Sequence, residues 1–393
     1  MNVTVPQQHL SRVISGLFFL AGLFFLNFTS RVIFSPLLPV IEQEMGIAHA
    51  QSGSLFLFIS VGYFFSVFSS GFVSAKINHK RTIVLSSLTL GLALFILSGC
   101  KTLFTLQLGL LGLGLGAGIY FPSGLATIAN LVAPAYLSRG MAIHELAPNL
   151  GFVAAPLLCE LFLSFLPWRQ GLTLLSIFII GGGISYAISS HGSKEKGRAP
   201  DLSASSTLFR MPIFWAMVVL FSLAICSTLG IYSMAPLFLV HDHGMDSSKA
   251  NRLLALSRVA AILMPLAGGW FGDKFGKQQV MAILLLLTGL LTASMAMVGD
   301  NMWLIVLVVA QPLFAVCFFP PGFAVLSKLG SAQYGNLAVS LCLPISFLIG
   351  GGLMPTLIGW IGDVYSISAG FILVGSMMAV AGGISLFVTL MDL

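Results

Sequence analysis

The sequence predicts an all-α membrane protein, with twelve transmembrane helices in two pseudo-symmetric six-helix bundles. Three observations predict it. Only 8% of the 393 residues are Asp, Glu, Lys or Arg, against 57% hydrophobic, where an ordinary soluble domain carries roughly 25% charge. Apolar runs of roughly 20 residues, the length that crosses a bilayer, recur along the chain. The second half then repeats motifs of the first at a nearly constant offset. The same composition, with a mean hydropathy of +1.01, excludes a water-soluble fold of this length and a disordered chain. It also excludes a nucleic-acid binder, despite the net charge of +6.

The apolar runs fall at 13–38, 52–74, 83–99, 104–131, 140–164 and 171–190, then at 213–240, 253–272, 279–298, 303–326, 336–361 and 367–390. The first is too long for a signal-peptide core and lacks a small-residue cleavage site, so it reads as span 1. The glycosylation pattern Asn27-Phe-Thr29 lies inside that span and is discounted. One polar stretch, 191–210, is long enough to be a linker. It divides the chain into an N-terminal half at 1–190 and a C-terminal half at 211–393. Twelve spans place both termini on one face. On that face fall Arg12, Lys76, Lys80, Arg81, Arg139, Lys194, Lys196, Arg198, Arg210, Lys274, Lys277 and Lys328, against Lys101, Arg169, Lys249 and Arg252 on the other. Positive residues favour the cytoplasmic side, so both termini are expected to be cytoplasmic. The compact loops point to a bacterial-type inner membrane. The five cysteines are scattered through apolar stretches and read as small buried hydrophobes, neither a metal site nor a disulfide framework.

The repeat has an offset of 198 residues. Tyr120-Phe-Pro122-Ser-Gly124 in span 4 is echoed by Phe318-Phe-Pro320-Pro-Gly322 in span 10, and Gly71 to Arg81 by Gly269 to Gln279. Ser35-Pro36-Leu37 is echoed by Ala235-Pro236-Leu237, at an offset of 200. Parallel six-helix halves place a substrate cavity at their interface, near mid-membrane. Across essentially its whole length the sequence resembles the major facilitator superfamily. The most specific local match is Gly269-Trp-Phe-Gly-Asp273-Lys274-Phe-Gly276-Lys277. The first-half copy keeps Gly71, Lys76, Lys80 and Arg81, but has Ala75 in place of the acid and Asn78 in place of the second glycine. The resemblance implies that these loops latch helices in one conformation, with the first-half latch in doubt. The alternative is that their bases are topological anchors. The family's span-4 arginine is absent, and Gln107 is the only strongly polar residue nearby.

Two arginines belong to no loop. An ionisable residue in mid-span costs at least ~2.5–3.5 kcal/mol on insertion scales, which invites a functional reason. Arg31 lies in span 1 and Arg258 in span 8, in opposite halves and toward the same face. Guanidinium stays charged and presents a planar fork to carboxylate or phosphate. The pair therefore reads as a clamp on an anion, an arrangement resembling the organic-anion branches of the superfamily. The alternative for each is snorkelling to the headgroups. Glu145 in span 5 has a repeat-mate near Ser340 and, with His144, is the candidate for proton coupling. Its alternative is a helix-start contact near Arg139. Glu160, further along the span, is expected to meet water or Arg169. Tyr63, Tyr120, Asn149, Tyr232 and Gln311 are polar residues in spans, open equally to lining the cavity or to packing helices. The run Gly112, Gly114, Gly116 and Gly118 is a close-packing face rather than a phosphate loop. Pro148, Pro156, Pro355 and Gly350 to Gly352 are bending points.

The function these residues point to is a secondary transporter carrying a small organic anion, a carboxylate or phosphate ester, by alternating access. Symport with protons is one route, and neither import nor export is favoured. The expected partners are the anion, protons and the lipid bilayer. The protein is expected to be a monomer without a cofactor or a metal. Two alternatives stay open: a proton-driven exporter of amphipathic compounds, and a non-transporting membrane sensor. No nucleophile–base set, metal-spaced histidine cluster or nucleotide loop points to an enzyme.

Overall fold

The computed structural model describes residues 10–133, 136–188, 193, 195–197, 202–329 and 335–387. Among them there is no strand. Eleven continuous spans run Val13–Met45, His49–Ile77, His79–Ser98, Leu103–Leu131, Arg139–Phe165, Trp168–Ile188, Pro212–Asp242, Lys277–Met297, Asn301–Leu326, Leu337–Val364 and Ile367–Phe387. The remaining span, the eighth, is a helix pair, Ser247–Ala261 and Met264–Phe275, bent by 42°. Pro265 explains the bend, since it has no N–H to bond back across the break. Several spans reach well beyond their apolar runs. Span 1 continues to Met45 because Glu42 and Glu44 find partners there, described below. Lys194 and Arg198 of the linker, and the end of the last apolar run at 388–390, lie outside the described residues.

Helix packing within each half depends on glycine. A side chain at Gly62 or Gly114 would collide with the facing backbone at Leu111 or Ile59, so spans 2 and 4 touch backbone to backbone. Gly116 and Gly118 make similar approaches to Leu90 and Ser66, whereas Gly112 faces open space. The two loops that repeat in sequence also repeat in backbone. Gly276 has φ +97°, and Asn78 at the equivalent position has φ +72°, the one positive-φ residue other than glycine among those described. Asn pays for this conformation by accepting a hydrogen bond on its side chain from the Arg81 amide at 3.0 Å.

Among the described residues, the contacts between the halves are concentrated toward one end. Here the terminal face is the side of the linker, and the distal face is the other. The distal pieces of spans 1 and 7, 2 and 11, and 5 and 8 pack together. The terminal pieces Tyr120–Leu131 and Phe319–Leu326 pack within their own halves. The distal seal is polar as well as apolar. Asp363 at the end of span 11 caps span 2, accepting from the amides of His49 at 2.8 Å and Ala50 at 2.9 Å. Glu42, 7% exposed, meets His49 at 2.9 Å and His241 of the other half at 3.4 Å. Glu160 does not meet Arg169. Its carboxylate accepts from Asn251 of span 8 at 2.8 Å, while Arg169 pairs with Glu44. The close approach of spans 5 and 8 decides this exchange of partners.

Candidate functional site

Span 1 carries Arg31 about one turn before Ser35-Pro36, and span 8 carries Arg258 one turn before its bend. Both are buried, 8% and 5% exposed. Neither guanidinium has a carboxylate partner among the described residues. Arg31 is flanked instead by the rings of Phe28 at 5.1 Å and Tyr63 at 4.6 Å. Arg258 is flanked by Phe152 at 4.4 Å and Tyr232 at 4.9 Å. Each cation thus lies against two aromatic rings, which stabilise it by cation–π attraction without neutralising it. Phe28 and Phe152 are in edge contact, their centroids 4.9 Å apart, so two phenylalanines bridge the two arginines.

Hydrogen bonding leaves both forks incomplete. Arg258 donates through Nη2 to the Thr228 carbonyl at 2.6 Å. Its Nη1 and the Nε of Arg31 are buried without an acceptor among the described residues. A buried donor left unpaired costs roughly 1–3 kcal/mol, more when charged. A cavity of about 20 Å³ lies beside Arg31, bounded by Tyr63, Leu229, Phe347 and Gly351. That volume admits a single water-sized group.

Thr228, the acceptor for Arg258, sits in a π-helical turn of span 7, Cys226–Gly230. Such turns free a carbonyl from the helix ladder and recur at functional sites. Gln311 braces the same turn, donating to the Ser227 carbonyl at 2.8 Å. It is 2% exposed and belongs to the wall behind the site. Tyr232 donates to the Phe152 carbonyl at 3.0 Å, and its own carbonyl accepts from Ser35 at 2.7 Å. Both bonds join the halves.

Tyr120, His144, Glu145 and Asn149 make no hydrogen bond or ion pair to either arginine among the described residues. Tyr120 donates to the Leu20 carbonyl at 2.8 Å and approaches His144 at 3.2 Å. The Phe24 ring runs parallel to both, 5.4 Å from Tyr120 and 4.3 Å from His144, so the three form a buried aromatic cluster inside the N-terminal half. Glu145 points the other way, its side chain 52% exposed and 3.5 Å from His144 Nδ1. Asn149, one turn on, donates to the Glu145 carbonyl at 3.0 Å. In the C-terminal loop Asp273 is 77% exposed and pairs with Lys277 at 3.7 Å, while Lys274 lies over Trp270 at 4.8 Å. Gly269, Gly71, Lys76 and Arg81 make no contact to the arginine site, and Lys80 lies 5.9 Å from the Tyr186 ring. Phe28, Phe152 and Thr228 escaped sequence reasoning. Two of them sit three residues before Arg31 or in mid-span 5, where an apolar residue carries no signal. Thr228 acts through its carbonyl, which any residue possesses.

A two-bundle helical carrier fold, with paired cations between the bundles, is the class of protein that fold and site define. The chain belongs to the Major Facilitator Superfamily, whose family model matches residues 20–257 and 233–392. It is 22% identical over 275 residues to a probable sulfoacetate transporter, SauU, of Cupriavidus necator, covering 65% of this chain and 64% of that protein's length. It is 23% identical over 354 residues to a probable hexose phosphate transport protein of Chlamydia pneumoniae, covering 80% and 76%. Among solved structures, a bacterial homolog of the human lysosomal transporter Spinster, inward-facing and occupied, superposes with a TM-score of 0.78. Its sequence is 15% identical, and the match covers 97% of this chain and 95% of that one. These relatives are transporters rather than enzymes, and the chain is an integral membrane protein.

Proposed function

We propose that this protein is a secondary transporter for a small organic anion with a compact, strongly charged head, such as a sulfonate, a phosphate ester or a carboxylate. One observation carries the reading: two buried guanidiniums, one from each half, each with an N–H unpaired and no carboxylate partner among the described residues. An anion between them supplies the missing acceptors and draws the halves together, which is what alternating access requires. The two relatives whose names specify sulfoacetate and hexose phosphate support this class, because both solutes are organic anions. Tyr63 and Tyr232 hold the guanidiniums in place. Gln311 braces the wall behind the site, whereas Tyr120 and Asn149 bond within the N-terminal half.

The topology follows from positive charge: the terminal face is cytoplasmic, the membrane is a bacterial-type inner membrane, and this conformation is inward-facing. Protons are the proposed driving ion, and the protein works as a monomer. Glu145 is the proposed proton carrier, since its carboxyl lies within a span yet reaches the surface and adjoins the buried His144. The test of the transport reading is a thermal-shift screen of purified protein with sulfoacetate, glucose 6-phosphate, acetate and a lipophilic cation. A ligand at 100 times its Kd stabilises by ~2.7 kcal/mol. Stabilisation by an anion supports the reading. Stabilisation by the cation alone would replace it with an exporter of amphipathic compounds.

A further inference from the structure

The 198-residue repeat pairs two grooves on the terminal face, and the structure fills them differently. In the C-terminal half a cavity of about 390 Å³ is lined by Gly272, Asp273, Gly276, Lys277 and Lys328 among others. The 198-residue offset maps five of these positions onto Ser74, Ala75, Asn78, His79 and Asn130 in the N-terminal half. There the linker lies in the groove. The amides of His79 and Lys80 donate to the carbonyls of Glu195 at 3.1 Å and Ser193 at 3.0 Å, and the Gly197 amide donates to the Ser74 carbonyl at 3.1 Å. Asn130, at the end of span 4, donates to Ser193 Oγ and to the Glu195 carboxylate, both at 3.0 Å. A Cβ at Gly197 would collide with the Ser74 hydroxyl and meet the Ser74 Cβ at 2.9 Å, so a side chain there requires the Ser74 side chain to move aside.

We infer that the linker residues Ser193, Glu195 and Gly197 form a strap that supplies the acid missing from the first loop and pins span 4 to its own half. The C-terminal groove carries its own carboxylate, Asp273, where the N-terminal groove has Ala75. The Glu195 carboxylate restores an acid to the N-terminal groove from another part of the chain. Three features make this docking rather than chance proximity. The backbone bonds alternate along the segment, the side-chain bonds converge on one asparagine, and a glycine stands at the tightest approach. The linker is also anchored at its other end, where Leu208 of the helix Leu202–Phe209 is fully buried in the core. Asn130 ends one of the pieces that must cross toward the other half when the terminal face closes. Holding it against the loop at 78–80 therefore favours the terminal-open state, because a contact biases only the state in which it forms.

The inference stands apart from the anion reading, since neither groove touches the arginines, and its test needs no substrate. Ser193→Cys with Asn130→Cys should form a disulfide under mild oxidation, and Ser193→Cys with Lys328→Cys should not. Spin labels at Arg139→Cys and Lys328→Cys report the opening of the terminal face. Glu195→Ala and Gly197→Val, made separately, should each raise the closed-to-open ratio by about two- to fivefold, the scale of one exposed charged contact. Melting temperature should stay near that of the parent, which separates undocking from misfolding. Equal crosslinking of both cysteine pairs overturns the docking. Crosslinking of the first pair with unchanged distance distributions in both variants overturns the strap.

Discussion

Arg31 and Arg258 are held by aromatic rings rather than by acids, and that choice keeps their charge available. A carboxylate partner would satisfy the guanidinium permanently and leave nothing for a ligand. Arg31→Gln or Arg258→Gln should therefore lower anion affinity by at least about 30-fold, the equivalent of ~2 kcal/mol for truncating one partner of a buried charge pair. Arg→Lys should rescue only partly, because ammonium cannot offer two parallel N–H groups. Isothermal titration with the anion identified by thermal shift measures both. Unchanged affinity in both glutamine variants would sink the clamp. Phe152 touches Phe28, Arg258 and Tyr232 at once, so Phe152→Leu should weaken binding by ~1 kcal/mol through lost cation–π contact. Glu145→Gln should abolish pH-driven accumulation in proteoliposomes while substrate exchange persists. Loss of exchange and accumulation together would make Glu145 structural.

At the scale of helices, both gates are controlled from helix ends. Asp363 caps span 2 from the opposite half, so its bond exists only while the distal face is closed. Asp363→Ala removes a cap worth ~1 kcal/mol, and the distal-open population should rise about fivefold in distance measurements across that face. Its loss should leave helix content by circular dichroism unaltered. Asp273 stands at the other face, exposed and, among the described residues, paired with Lys277 of its own loop. Its carboxylate is thus free for a second partner once the terminal face closes. Asp273→Asn should deplete the terminal-closed state with little change in anion affinity. Identical gate distributions in variant and parent would reduce Asp273 to a topological residue.

For the whole molecule, the spans, the linker and the repeat were legible in the sequence because each is local or periodic. Twenty apolar residues have no other use, and a motif recurring 198 residues on marks a duplicated bundle wherever the helices go. The arginine pair was legible for a related reason, since charge inside an apolar run stands out against its neighbours. Partnership was not legible. Glu160 meets Asn251 and Glu42 meets His241 because distal helix ends from different halves converge, and nothing local encodes such a contact. Tyr120 and Gln311 bond within their own halves because their neighbours there offer a carbonyl or a histidine at the right height. The loop acid missing at Ala75 was visible in the sequence, but its replacement by Glu195 was not, for that depends on the linker folding back onto the first bundle. The sequence alone determined a twelve-span, two-bundle membrane protein with a cation in each bundle, since bilayer thickness and hydropathy are one-dimensional constraints. Only the tertiary structure decided that the cations meet aromatics and unpaired N–H groups at a distally sealed interface, because juxtaposition across a pseudo-twofold axis is set by packing in three dimensions.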